Sequence, residues 1–113
     1  MVKMHTVIVF TDEPVVEIGV KTLLEGDPDF QLTGVYRTHQ EVVTAARLQQ
    51  PDIVVYNLTR EADLGLIREL QSAASLSTIV LWAREVSTEV AHQAVELGVR
   101  GFLSTTASPE HFR

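Results

Sequence analysis

Four apolar runs in this chain end on residues that could do chemistry. HTVIVF runs into Thr11, Asp12 and Glu13; DIVVY runs into Asn57; STIVL runs into Trp82 and Ala83; VRGFL runs into Ser104 and Thr105. If the runs are parallel strands, these residues share one rim, where open α/β sheets bind their ligands. The chemistry on offer is thin. Asp12 is a candidate for a cation or a polar ligand, although a lone acid here more often takes hydrogen bonds from nearby amides. Asn57 is a neutral amide whose nitrogen lone pair is delocalised; it can hydrogen-bond but is a poor nucleophile. Trp82 offers one N–H donor, and Thr105 carries no charge. Glu13 sits where a helix should start, and charge at a helix N-terminus accounts for it.

The elements that must position these residues alternate between β-branched runs and helical periodicity. His5–Phe10 reads as a strand. EPVVEIGVKTLLEG follows, with Val15, Val16, Ile18 and Leu23 as an apolar stripe, Pro14 in the first turn and Gly26 as the stop. FQLTGVYR is a second strand, near an edge. THQEVVTAARLQQ opens with a capping box, Thr38 and Glu41, and presents Val42, Val43, Ala46 and Leu48 before Pro51 ends it. DIVVYN is the third strand, and DLGLIRELQSAA a helix with Leu64, Ile67 and Leu70 on one side. STIVLWA is the fourth strand. STEVAHQAVELG is a helix capped by Ser87 and closed by Gly98; VRGFLS is the fifth strand. SPEHFR opens a fifth helix. Five β-α steps with short linkers predict one α/β domain, a doubly wound five-stranded parallel sheet covered on both faces.

Composition bounds the function. A chain of 113 residues, 45% hydrophobic, fits one domain with one core. The absence of cysteine excludes disulfides and thiolate metal sites. A net charge of −6 with nine scattered basic residues argues against direct nucleic-acid binding by this segment. No apolar run approaches the ~18 residues of a membrane span, and a cytoplasmic location is expected. The four histidines are dispersed without metal-ligand spacing, and the face shared by Glu89, His92 and Glu96 reads as solvated. Ser104, Thr105, Thr106 and Ser108 read as a polar loop ending in a helix cap.

The chain resembles a receiver domain of a bacterial two-component response regulator, nearest to the NarL/FixJ-like subfamily, over nearly its whole length. VIVFTDEPVVEIGVKTLLEGDPDF is similar to that subfamily's opening, including Pro14 and the DPDF before strand two. PDIVVYNL matches its third strand, Gly65 falls eight residues after Asn57, and ELGVRGFLSTTASPEHF matches its fifth strand and the start of helix five. The resemblance implies a flavodoxin-like sheet in strand order 2-1-3-4-5, with helix five truncated. It also implies a phosphorylation switch: an acidic pair holds Mg²⁺, an Asp accepts phosphate, and a Thr or Ser and a Lys grip it. Those positions here hold Thr11 and Asp12, then Asn57, Trp82 and Thr105; Phe102 matches the switch aromatic.

Losing carboxylates at Thr11 and Asn57 removes attractions worth ~4 kcal/mol per unit charge pair at 4 Å and an effective dielectric near 20. The expectation is therefore a degenerate receiver domain, residues 1–113, forming the N-terminal module of a longer regulator. It is expected to be non-enzymatic, to hold no cofactor or metal and to touch no membrane. It would act by protein–protein contact, as a homodimer, on an attached helix-turn-helix domain. The fourth helix, strand five and fifth helix, or else the first and fifth helices, would supply the contact. The alternatives are a small-ligand sensor built on the same residues and a receiver that keeps weak phosphotransfer. Trp82 is expected to fill the vacated pocket beside Asn57 and Thr105, and to hold Phe102 in one rotamer.

Overall fold

The structure is a computed structural model, and it describes residues 4–59, 64–83 and 87–104, with the side chains of Leu103 and Ser104 outside the description. The five strands are β1 (His5–Phe10), β2 (Phe30–Tyr36), β3 (Ile53–Asn57), β4 (Thr78–Ala83) and β5 (Val99–Ser104). The helices are α1 (Pro14–Glu25), α2 (His39–Gln49), α3 (Leu66–Ala73) and α4 (Thr88–Glu96). All strands pair in parallel in the order β2-β1-β3-β4-β5, as expected. The fifth helix, opening at Ser108, lies outside the described residues, as does Thr105.

Alternation along each strand divides the core in two. Ile8, Val54, Tyr56, Ile79, Leu81 and Ala83 face α2, α3 and α4. Val7, Val9, Val55 and Trp82 face α1, where Val16, Val20 and Leu24 meet them. Both faces being covered explains why these strands read as continuous apolar runs.

The helix ends follow local chemistry. Thr38 Oγ1 accepts from Glu41 N at 3.1 Å, the first half of the expected box, but Glu41 Oε1 turns back to accept from the Thr38 hydroxyl at 3.0 Å rather than from its backbone N–H. Ser87 Oγ accepts from Val90 N at 3.1 Å. Gly98 follows α4 with φ +99°, a left-handed conformation that a side chain strains. Pro14 opens α1, whose N-cap Glu13 makes no side-chain cap.

Three apolar residues expected on buried stripes are exposed instead. Val15 and Ile18 of α1 are 74% and 63% exposed, and Leu48 of α2 is 79% exposed. In α1 the buried line runs Val16, Val20, Leu24, a strict i, i+4 row that excludes Val15 and Ile18. In α2 it runs Val42, Val43, Ala45, Ala46, with Leu48 turned to the outside.

The edge strand β2 is irregular. Its register against β1 slips between Val7 and Ile8, leaving Thr33 unpaired, with Thr33 Oγ1 donating to Val7 O at 3.3 Å. Gly34 makes room for the Tyr36 ring: a β-carbon there would lie 2.6 Å from Tyr36 Oη. Tyr36 Oη in turn accepts from Gln49 Nε2 at 2.8 Å.

Candidate functional site

β1, β3 and β4 are adjacent, so their C-terminal residues meet at one rim. Thr11 continues β1, Asn57 ends β3, and Trp82 pairs in register with Asn57. Leu58 N donates to Trp82 O at 2.9 Å, extending that pairing past the strand end.

The centre of the rim is dry and neutral. Thr11 is fully buried and Asn57 is 4% exposed. Asn57 Nδ2 donates to Thr11 Oγ1 at 2.8 Å. Glu13 N donates to the same hydroxyl oxygen at 3.0 Å, and Thr11 N donates to Tyr36 O at 2.9 Å. A hydroxyl oxygen has two lone pairs, and both are taken. The Asn57–Thr11 bond ties the exits of β3 and β1 and closes the turn into α1 at the same atom.

Asp12 stands apart from this network. It is exposed, and no hydrogen bond or ion pair to its carboxylate occurs among the described residues. The expectation that backbone amides would satisfy it is not met. These donors do not fit Mg²⁺, which is held by carboxylates and waters at octahedral geometry. Among the described residues no group of three or more His, Cys, Asp or Glu could hold a metal ion, and Asp12 stands beside an amide and a saturated hydroxyl.

Trp82 does lie beside Asn57, but its ring runs away from the rim and under α1. Its Cη2 and Cζ2 atoms lie 3.6 and 3.8 Å from the place a β-carbon on Gly19 would occupy. It belongs to the cluster of Val7, Val9, Val16, Val20, Leu24 and Val55. The indole is 9% exposed, and its Nε1–H has no hydrogen-bond acceptor. Phe102 packs against the opposite cluster, under α2, α3 and α4. Its register partner is Leu81, one residue before Trp82, so the pleat sends the two rings to opposite faces. Trp82 therefore does not hold the Phe102 rotamer.

Sequence reading missed a second polar chain. Tyr56, immediately before Asn57 and 1% exposed, stacks on Phe10 with centroids 4.4 Å apart. Its hydroxyl meets His39 Nδ1 at 3.0 Å, and His39 Nε2 meets Glu69 Oε2 at 3.2 Å. β3, α2 and α3 are thereby joined through three side chains remote in sequence, with no spacing signal to reveal them. His92 and Glu96, by contrast, pair at 3.2 Å on an exposed helix face, which is the solvated face expected of them.

One group on α1 has a shifted titration. Glu17 lies below the usual carboxylate range, first because Lys21 Nζ donates to it at 3.0 Å and then by charge attraction to Lys21 and Arg37; desolvation opposes this. Arg37 reaches it at 3.2 Å and ties α1 to the turn after β2.

The strand order and the two-sided helical cover, with polar residues converging at the exits of β1, β3 and β4, define a flavodoxin-like fold of the kind that receiver domains of response regulators have. Its relatives agree. The chain is 26% identical over 99 residues to the probable transcriptional regulatory protein SgaR of Hyphomicrobium methylovorum, covering 86% of this chain and 47% of that protein. It is 28% identical over 107 residues to the transcriptional regulatory protein UhpA of Salmonella typhimurium, covering 95% of this chain and 54% of that protein. It thus spans about half the length of these relatives. The signal receiver domain of the putative response regulator NarL from Mycobacterium tuberculosis superposes with TM-score 0.83 at 16% identity, covering 96% of this chain and 89% of that one. No family model matches the chain.

Proposed function

We propose that this domain is the regulatory module of a transcriptional regulator, and that it works without aspartyl phosphorylation. The observation that carries the reading is the buried Asn57–Thr11 hydrogen bond at the exit of β3. An acceptor must present an ionised oxygen to phosphorus. Here an amide occupies the position, is 4% exposed, and spends its N–H on a neighbouring hydroxyl. The regulatory role rests on the names of SgaR and UhpA, both transcriptional regulatory proteins longer than this chain.

On this reading the domain is not an enzyme. It acts through contact with a second copy and with an attached DNA-binding domain. No helix among the described residues is long and apolar enough to cross a membrane. The site residues of the module are Thr11, Asn57 and Trp82, with Asp12 at its margin; Thr105, expected with them from the sequence, lies outside the described residues. Their work is to hold one shape rather than to switch on phosphate.

The test is direct. The protein is incubated with acetyl phosphate and Mg²⁺ and its intact mass recorded, while sedimentation reports its association state with and without the donor. No added phosphate and an unchanged association state are expected. A stoichiometric gain of one phosphate mapped to the β3 exit overturns the reading.

A further inference from the structure

We propose that the outer face of α2 is a self-complementary contact surface, on which two copies of this chain pack their α2 helices antiparallel about a two-fold axis at Thr44. This locates the contact with a second copy proposed above and rests on it; it stands whether or not the domain accepts phosphate.

Shape is the first ground. Leu48 is 79% exposed, a large apolar side chain standing out from the helix. Beside it, between α2 and the end of β2, runs a groove of about 400 Å³ whose lining includes Tyr36, Thr38, Glu41, Thr44 and Ala45. The wall of this groove is already fixed. Gln49 Oε1 accepts from Thr33 Oγ1 at 3.1 Å, and Gln49 Nε2 donates to Tyr36 Oη at 2.8 Å, so the phenol need not be ordered on binding. A protruding leucine next to a preformed groove puts a knob and a hole on one surface, which is what a two-fold contact between identical copies requires.

Charge is the second. Glu41 and Arg47 are exposed, and neither makes an ion pair among the described residues. Glu41 precedes Thr44 by one helical step of three residues and Arg47 follows it by the same step, about 4.5 Å along the axis on either side. An antiparallel pairing centred on Thr44 therefore sets each Glu41 level with the partner's Arg47. It also sets each Leu48 level with the partner's Gln40, which lines the groove. A parallel pairing would instead oppose Glu41 to Glu41 and Arg47 to Arg47. The chain carries a net charge of −6, so two copies repel over much of their surface, whereas this strip holds one acid and one base. One helix and its groove bury less than the ~1,200 Å² of a standard interface, so the contact is weak and reversible.

Sedimentation equilibrium over a concentration series reads this contact, and the unmodified chain should form a reversible dimer. Leu48→Glu, at an exposed position, should weaken the dimer by about tenfold. Arg47→Glu sets like charges level at two places and should weaken it by about tenfold as well. Adding Glu41→Lys to Arg47→Glu restores both pairs with their signs exchanged and should recover most of that loss; the Thr38 cap on the Glu41 backbone N–H survives the change. Val15→Glu is the control, since Val15 is also apolar and 74% exposed but lies on α1, and it should change nothing. The chain has no cysteine, so Thr44→Cys supplies a single thiol on the axis, which oxidised glutathione should close into a disulfide-linked dimer. A dimer that survives Leu48→Glu and Arg47→Glu, or that Val15→Glu weakens equally, overturns this surface and leaves contact with a second copy in place. So does a double variant no tighter than Arg47→Glu alone. A chain that stays monomeric at millimolar concentration overturns both.

Discussion

β1 and β3 are tied together at both ends by a threonine, and the partners of the two threonines differ in charge and exposure. At the N-terminal edge of the sheet, Thr6 N donates to Asp52 Oδ2 at 2.9 Å and Asp52 N donates to Thr6 Oγ1 at 3.1 Å. At the C-terminal edge, Asn57 Nδ2 donates to Thr11 Oγ1 at 2.8 Å. Both pairs bridge 46 residues of sequence. The acidic member survives where its side chain is 37% exposed and His5 lies 3.9 Å away. The amide stands where exposure falls to 4%. A charge is tolerated at the wet end and replaced at the dry end, because a buried carboxylate needs compensation that the neutral rim does not hold. Asn57 is, on this comparison, a tether like Asp52, adapted to its surroundings.

The largest test removes what keeps the dry end dry. Trp82→Ala deletes a nine-tenths buried indole and should cost ~3–5 kcal/mol in urea unfolding. Next, Asn57→Asp should cost ~1–3 kcal/mol at neutral pH. Burial raises an uncompensated carboxyl, so the penalty should be absent below about pH 4 and develop as pH climbs through the raised folded value. In the Trp82→Ala background that penalty should shrink, since water then reaches residue 57; an unchanged penalty breaks the comparison. At the wet end, Asp52→Asn should cost only ~0.5 kcal/mol, because an amide oxygen still accepts from Thr6 N. If the two substitutions cost the same, burial is not what separates the ends.

The smallest effect is the acid response of α1. Glu17 is depressed below its ordinary value, so its contribution is complete above the unfolded carboxylate value of about 4.3 and is lost as pH falls through the lower folded value. Glu17→Gln should flatten that part of the stability profile, read by thermal unfolding between pH 5 and pH 3, and leave the Asn57 and Asp52 effects unaltered.

Much of the fold was legible because strands buried on both faces must be apolar throughout, and the five runs stand out from the helical pattern between them. Val15, Ile18 and Leu48 misled because a helix rich in valine and leucine offers more than one apolar row, and the sheet contact selects among them. At the site, the identities at the strand exits were readable, and so was the loss of charge. The direction of the indole was not. Its face depends on strand parity carried through register with β3 and β5, which placed Trp82 under α1 and Phe102 on the other side. The chain from Tyr56 through His39 to Glu69 was hidden for the same reason, since only the packing of α2 against α3 brings it together.

The irregular outer strand has a consequence for the free edge of the sheet. With Thr33 bulged out of register and the phenol of Tyr36 folded over Gly34, β2 presents no straight ladder of amides on which a sister sheet could continue. Continuation of the sheet across that flank is thereby discouraged.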